Sequence, residues 1–433
     1  MDKITISIPF GDSRAYARVP RELIVFDGEM KPHKPAEEFE KLLTVKLENP
    51  IGCPPLKKQV KPGDRVLILI DDNTRPTPVD KILPVLINHL LDSGLKGERI
   101  KILTAPGTHR IMTEQELIAK VGRSVYFSFA VHQHDFRDKA AMENLGSFDL
   151  YGVEVPVIVN KKALEADFII GLGNIVPHCD AGFSGGGKIV QPGICGVETT
   201  AATHLLGALL PEIPLGVTDG NPCSEGINIV ARKVGLSFII NVVMAPDGGG
   251  IDIFAGDFIQ AHREGCKLSR EVYGVPITER ADIVVVSSSP GDIDYWQAEK
   301  ALVAAYFSVK QGGVIVFAAP CHEGLEHNHP GLREWVKMSY SEARQQAMCT
   351  PLHSDRDLVA ADIAMGHCRA RERADIYMIT SGLSEEDIAL LGYSRFENLQ
   401  KALDAAFRKI PGGTIGLLPR GGDCFPFVTG ADR

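Results

Sequence analysis

Imidazole is the side chain best suited to passing a proton in either direction at neutral pH, because its unperturbed pKa lies near 6.5. His109, in Gly107-Thr108-His109-Arg110, and His178, in Gly173-Asn174-Ile175-Val176-Pro177-His178, each follow a predicted strand. Both are therefore expected at the crevice beyond the carboxyl ends of an open α/β sheet. An enzyme that inverts a stereocentre must handle a proton on two faces, so a pair of separate bases suits racemisation.

The segment Gly182-Phe183-Ser184-Gly185-Gly186-Gly187-Lys188 has the G-x-x-x-x-G-K spelling of a P-loop. Ile189 stands where a Mg²⁺-binding hydroxyl is needed, however, and the preceding strand ends about ten residues too early for a strand–loop–helix cradle. The pattern argues against an NTPase. Its glycines still let a ligand approach the backbone. Lys188 then fits three roles: a phosphate clamp, a covalent attachment point or a solvated side chain. His204 and His178 match neither zinc-finger nor H-E-x-x-H spacing.

Asp71-Asp72-Asn73-Thr74-Arg75-Pro76-Thr77-Pro78 lies between a buried strand and a helix. Such a loop can turn backbone N–H groups toward an anion, with Arg75 as a bidentate clamp, or it can be an ordinary capped loop with a surface salt bridge. In Asp294-Tyr295-Trp296-Gln297-Ala298-Glu299-Lys300, Gln297 and Lys300 are three residues apart and share a helix face. They are able to hold one carboxylate together, the alternative being a solvent-facing helix start with Trp296 in the core. His322, His327 and His329 beside Cys321 read as surface residues of a polar loop rather than a metal site. His132 and His134 would share a strand face if that strand continues.

The elements that must position these groups read as α/β. Short apolar runs at Arg65–Ile70, Ile100–Thr104, Val125–Val131, Val153–Val159, Asp167–Gly171 and Phe238–Val243 alternate with helical patterns, which predicts partly parallel sheets. Val79, Ile82, Leu83, Leu86 and Leu90 form one helix face, with Pro84 predicting a kink or a late start. Thr113-Glu114-Gln115-Glu116 spells a capping box, leaving His109 and Arg110 on the loop before it. A second unit is expected from Ala281, with strands Asp282–Ser287, Gly313–Ala319, Asp375–Thr380 and Thr414–Leu418 and helices Trp296–Phe307 and Phe396–Lys409. The expected architecture is two domains, 1–272 and 273–433, each a mostly parallel sheet flanked by helices, with a linker near 267–280 and the active site in the interdomain cleft.

Composition narrows the class further. The chain has 433 residues, 46 Lys and Arg against 55 Asp and Glu, and a net charge of −9, which argues against a general nucleic-acid binder. The alternating start Met1-Asp2-Lys3-Ile4-Thr5-Ile6 reads as an edge strand rather than a signal peptide, and no apolar run has the length of a membrane span. Nine cysteines, an odd number without a C-x-x-C pair, suit reduced thiols. These features predict a soluble, cytoplasmic protein; they leave its oligomeric state open.

In this order, the blocks Asp71–Pro78, Gly107–Arg110, Gly173–His178, Gly182–Gly196, His204 and Gln297 with Lys300 resemble the nickel-pincer-nucleotide-dependent lactate racemase family over nearly the whole chain. The glycine-lysine block continuing through Lys188-Ile189-Val190-Gln191-Pro192-Gly193 is the most specific of them. The resemblance implies a racemase or epimerase, an isomerase of small 2-hydroxy acids. It implies that Lys188 carries the cofactor, a nickel-bearing pyridinium-3,5-bisthiocarboxylic acid mononucleotide, through a thioamide, and that His204 completes the nickel coordination. Asp72, Asn73 and Thr74 are implied on the cofactor side, in the N-terminal domain. His109 and His178 are implied as acid and base for a hydride transfer through a 2-keto acid. Arg75, Trp296, Gln297 and Lys300 are implied as substrate contacts, and cofactor-maturation enzymes as partners.

The chain departs from the family pattern at the implied pocket wall. Trp296 replaces a tyrosine, and Met365-Gly366-His367-Cys368 stands in place of a pocket tryptophan. That departure points away from lactate, toward a larger 2-hydroxy acid whose extra polar group would meet His367 or Arg369. Two readings from other classes remain: a noncatalytic nucleotide- or phosphate-binding protein using the two loops as an anion cradle, and a metal-dependent hydro-lyase or zinc enzyme built on the loop histidines.

Overall fold

The computed structural model describes residues 2–30 and 32–429 and divides into two compact units. One consists of Pro32–Leu210 with Pro214–Val272. Its centre is Val66-Leu67-Ile68-Leu69-Ile70, a strand buried at every position, as expected where both sheet faces are covered. Phe168–Asn174 and Ile100–Thr104 flank it in parallel, followed by Leu236–Met244 on one side and Ala130–Gln133 on the other; only the edge strand Gly250–Gly256 is antiparallel. Helix Val79–Leu91 packs Val79, Ile82, Leu83, Leu86, Ile87 and Leu90 into this core and carries Pro84 within it.

The other unit joins Met1–Lys31, Pro211–Ile213 and Tyr273–Arg433. Its six-stranded sheet is parallel throughout, in the order Ser394–Arg395, Ala374–Ile379, Val309–Ala318, Ala281–Ser287, Ile415–Leu418, Ile24–Asp27. The expected assignment of residues 1–272 to one domain therefore changes at the N-terminus. Ile24–Asp27 completes the C-terminal sheet, and the hairpin Lys3–Phe10 with Ser13–Pro20 buries Ile6, Ile8, Ala17 and Val19 in the same core. Met1, included in the predicted first strand, lies outside the described residues.

Other boundaries also moved. The region 267–280 is no loose linker: helix Gln260–Tyr273 runs directly into strand Gly274–Ile277. Val125–Val131 divides into helix Arg123–Ser128 and strand Ala130–Gln133, because Val125 is needed in the core beside Val121 while the chain turns toward the sheet. Strand Val153–Val159 is longer, Val153–Asn160, and forms an antiparallel hairpin with Met142–Leu150. The strand ending at Gln133 stops before His134, which is fully buried with its ring between Cys195 O (3.1 Å) and Asn160 (3.2 Å), so it does not share a strand face with His132. No helix among the described residues is long and apolar enough to cross a membrane, and none of the nine cysteines forms a disulfide.

Ile68 lies fully buried on the central strand, so Ile68→Ala is expected to lower unfolding free energy by about 2–5 kcal/mol in urea titrations. Val45→Ala, at a position 53% exposed, should shift it by less than about 0.5 kcal/mol.

Candidate active site

Three neighbouring parallel strands end at Ile70, Thr104 and Asn174, and the loops leaving them carry Asp71–Arg75, His109 and His178. Side-by-side pairing thus brings together residues more than a hundred positions apart. The first loop opens with two buried carboxylates. Asp71 pairs with Lys120 at 2.7 Å and accepts the Thr77 hydroxyl, and Lys120 also donates to the Arg75 carbonyl (2.9 Å). Burial nevertheless raises the Asp71 pKa.

Asp72 behaves oppositely. Burial acts to raise its pKa, but His109, Arg75 and Thr74 together hold it well below the usual carboxylate range. Its Oδ2 lies 2.8 Å from His109 Nδ1, while Oδ1 accepts from the Thr74 N–H at 3.1 Å and hydroxyl at 2.5 Å. An ionised carboxylate only accepts hydrogen bonds, so His109 donates to it from Nδ1. Asp72 is thus the orienting group of an imidazole. Asn73 is turned toward Glu116 (2.9 Å), which also receives both terminal nitrogens of Arg110 (2.8 and 2.9 Å) and closes the Thr113 capping box.

The glycine loop is held from behind. Gly185 and Gly186 have φ of +80° and +56°, and a Cβ on Gly186 would lie 2.8 Å from the His262 ring. The Gly186 N–H donates to Asn241 Oδ1 (2.8 Å), and His262, kept neutral by burial that pushes its pKa down to about 4, donates through Nε2 to the Ser184 carbonyl (2.8 Å). Lys188 follows in a 3₁₀ turn, Gly186–Ile189, rather than in the α-helix of a P-loop. Its Nζ is 3.3 Å from His178 Nε2. Burial, reinforced by Arg75, lowers its pKa against the opposing pull of Cys223 and Asp180.

His178 lies on a two-residue strand paired with Gly182–Phe183, and its Nδ1 accepts the Asp180 backbone N–H (3.2 Å). His204, on helix Val197–Gly207, donates from Nδ1 to the Thr200 carbonyl (2.7 Å), so in the neutral ring Nε2 carries the lone pair. The Asp180 carboxylate lies within 4.8 Å of a His204 ring nitrogen. One connected set therefore runs from His109 through Asp72, Arg75, Lys188, His178 and Asp180 to His204.

In the other unit, Asp294 caps helix Tyr295–Ser308, and Lys300 donates to Gln297 Oε1 (2.7 Å), so these two polar groups meet on one helix face. Trp296 stacks on His329 with ring centres 4.4 Å apart, and Asp357 holds His329 at 2.9 Å. His329 is thus a buried ring and not the surface residue expected, whereas His327 pairs locally with Glu323. Two further expectations fail. His367 is fully buried against Tyr295 (2.8 Å) and Tyr393 (2.7 Å), and burial pushes its pKa down to about 3; Arg369 is occupied by the Pro211 carbonyl (3.1 Å) and Tyr340. Neither is presented to a ligand in this unit.

The reading of the chain missed Lys120, Asp180, Asn241 and His262. Only Asn241 left a signal, as the one polar residue in the apolar run Phe238–Met244. The others are surface-type residues whose burial depends on distant elements.

The Lactate racemase N-terminal domain family profile matches residues 10–213 and the Lactate racemase C-terminal domain profile matches residues 277–420. A protein named Lactate racemase from Thermoanaerobacterium thermosaccharolyticum is 32% identical over 408 residues, covering 93% of this chain and 94% of the relative. Its namesake from Lactiplantibacillus plantarum is 33% identical over 327 residues, 75% of this chain and 74% of the relative. The solved lactate racemase apoprotein from T. thermosaccharolyticum matches with a TM-score of 0.86 at 30% identity, over 98% of this chain and all of that one. A Thermotoga maritima protein, at TM-score 0.72 and 22% identity over 92% of this chain and all of that one, shares the fold.

Hydrogen bonds from Arg110 draw the Glu116 carboxyl from 4.5 down to about 2. A depressed carboxylate pKa stabilises the fold above the unfolded value and loses that contribution as pH falls through the folded one. Glu116→Gln should therefore lower unfolding free energy by about 1–2 kcal/mol at pH 7, and acid titration of the two proteins should show the gap closing between about pH 4.5 and about pH 2.

Proposed function

Since this chain belongs to the lactate racemase family, an isomerase family, we propose that it racemises or epimerises a small 2-hydroxy acid, with Lys188 as the residue that would hold a nickel-pincer nucleotide able to supply hydride acceptance and return. The single observation that carries this reading is the pairing of two differently supported imidazoles with a desolvated lysine: Asp72 behind His109, and Lys188 Nζ 3.3 Å from His178.

The residues fit such a cofactor. A lysine whose charged form is disfavoured by burial is ready for acylation by a thioacid, and glycines on both sides of Ser184 leave room at the backbone. His204, with Nδ1 spent on Thr200, offers Nε2 to the metal. When bound, the group supplies the two-electron acceptor that the protein side chains lack.

The chain's own part is proton handling and orientation. His109 accepts the substrate hydroxyl proton at Nε2, and ionised Asp72 stabilises the imidazolium so formed. With its amine committed to the cofactor, Lys188 would leave Nε2 of His178 to serve the opposite face. Arg75, Gln297 and Lys300 are the donors proposed for the substrate carboxylate, Gln297 and Lys300 being already matched to each other. Trp296, fixed by stacking on His329, is proposed to shape the substrate contact. Asn73 and Thr74 shape the loop on the cofactor side. Maturation enzymes are the proposed partners, and nine cysteines without a disulfide are in keeping with a reducing cytoplasm.

Protein co-expressed with cofactor-maturation enzymes should carry a mass adduct on Lys188 and erode the optical purity of at least one enantiopure 2-hydroxy acid, lactate included. Asp72→Asn, which weakens the orientation of His109, should cut kcat by roughly 10²–10⁴-fold with the adduct retained. Loaded protein that leaves every member of a broad panel optically pure would overturn the proposal.

A further inference from the structure

The turn joining the short strands Pro177–His178 and Gly182–Phe183 gathers three different donors in three successive residues. His178 Nδ1, Cys179 Sγ and a carboxylate oxygen of Asp180 all lie within 4.8 Å of one another. The separations are 3.5 Å from Nδ1 to Oδ2, 3.8 Å from Sγ to Nδ1 and 3.2 Å from Sγ to Oδ2. Zinc bound tetrahedrally, with Zn–S about 2.3 Å and Zn–N or Zn–O about 2.0 Å, sets such donors about 3.3–3.5 Å apart. The three atoms thus approximate one face of a zinc tetrahedron.

The turn is also rigid. Gly182 has φ +76°, and a Cβ there would lie 2.1 Å from the Val217 carbonyl. Asn221 donates to both the Asp180 and the Val217 carbonyls, at 2.8 and 2.9 Å. His178 Nδ1 accepts the Asp180 N–H, so that nitrogen holds a lone pair and not a proton in the neutral ring. Cys179 donates its thiol proton to Asp180.

We propose that His178, Cys179 and Asp180 form a binding site for one zinc-type divalent cation whose ligands do not include His204, although the Asp180 carboxylate lies within 4.8 Å of a His204 ring nitrogen. On binding, the ion replaces the thiol proton, which is released to solvent, and displaces the Asp180 N–H from the imidazole lone pair. Water completes the coordination. No oxidation change occurs. An ion on Nδ1 prevents His178 from holding a second proton, so occupancy would inhibit the reaction proposed above; the binding itself does not depend on that reaction.

The test uses the full, unloaded chain and Co²⁺ as the spectroscopic probe for zinc. One equivalent should produce visible d–d bands of a tetrahedral ion with a near-ultraviolet thiolate-to-cobalt band, and Zn²⁺ should abolish both. Cys179→Ser should remove the thiolate band, Asp180→Asn should weaken binding at least tenfold, and His204→Ala should leave affinity within about threefold. Because Cys179 is buried and its replacement can unsettle the fold, a second measurement uses the wild-type chain, where Zn²⁺ should slow alkylation of Cys179 at least tenfold, read by peptide mass. A cobalt spectrum without the thiolate band, unprotected Cys179, or binding abolished by His204→Ala would each overturn the assignment.

Discussion

Two adjacent carboxylates buried at the end of one apolar strand set the terms for the site. A buried charge is tolerated only when it is paired and hydrogen-bonded. Asp71 is answered by Lys120, reaching in from helix Glu114–Val121, and Asp72 by His109, from the loop after the neighbouring strand. These pairings hold Arg75 and one imidazole in place, because Lys120 also grips the Arg75 carbonyl. Without the opposing charges, the first loop would have no reason to keep Asp72 ionised behind His109.

The second constraint is steric. Lys188 sits where it does because two glycines, Gly186 and Gly187, let the chain pass close to His262, Asn228 and Ala231. The same close approach strips water from its amine, while the ring and amide of His262 and Asn241 satisfy the backbone that this exposes to the interior. Packing and electrostatics therefore have a common cause here: removing Cβ atoms brings the backbone inward, and a side chain carried in with it holds its charge less readily.

The errors of sequence reading share a physical origin as well. Val125–Val131 has strand-type residues, yet part of it is helical because Val125 completes a core made by other segments. His329 sits among polar neighbours in the chain but is enclosed by Trp296 and Asp357, and His367 is enclosed by Tyr295 and Tyr393, groups that arrive from elsewhere. Local composition reports the cost of burying a residue. It does not report which partners will offset that cost.

Local patterns by themselves determined the α/β class, the capping box at Thr113, the loop positions of Asp72 and the two histidines after strands, and the i, i+3 meeting of Gln297 with Lys300, since each depends on backbone periodicity or covalent spacing. Tertiary structure alone decided that Ile24–Asp27 completes the C-terminal sheet, that Asp72 faces His109 across 37 positions, and that Lys188 loses water beside His178. Those outcomes rest on strand order and on the exclusion of solvent, which exist only once distant segments have packed.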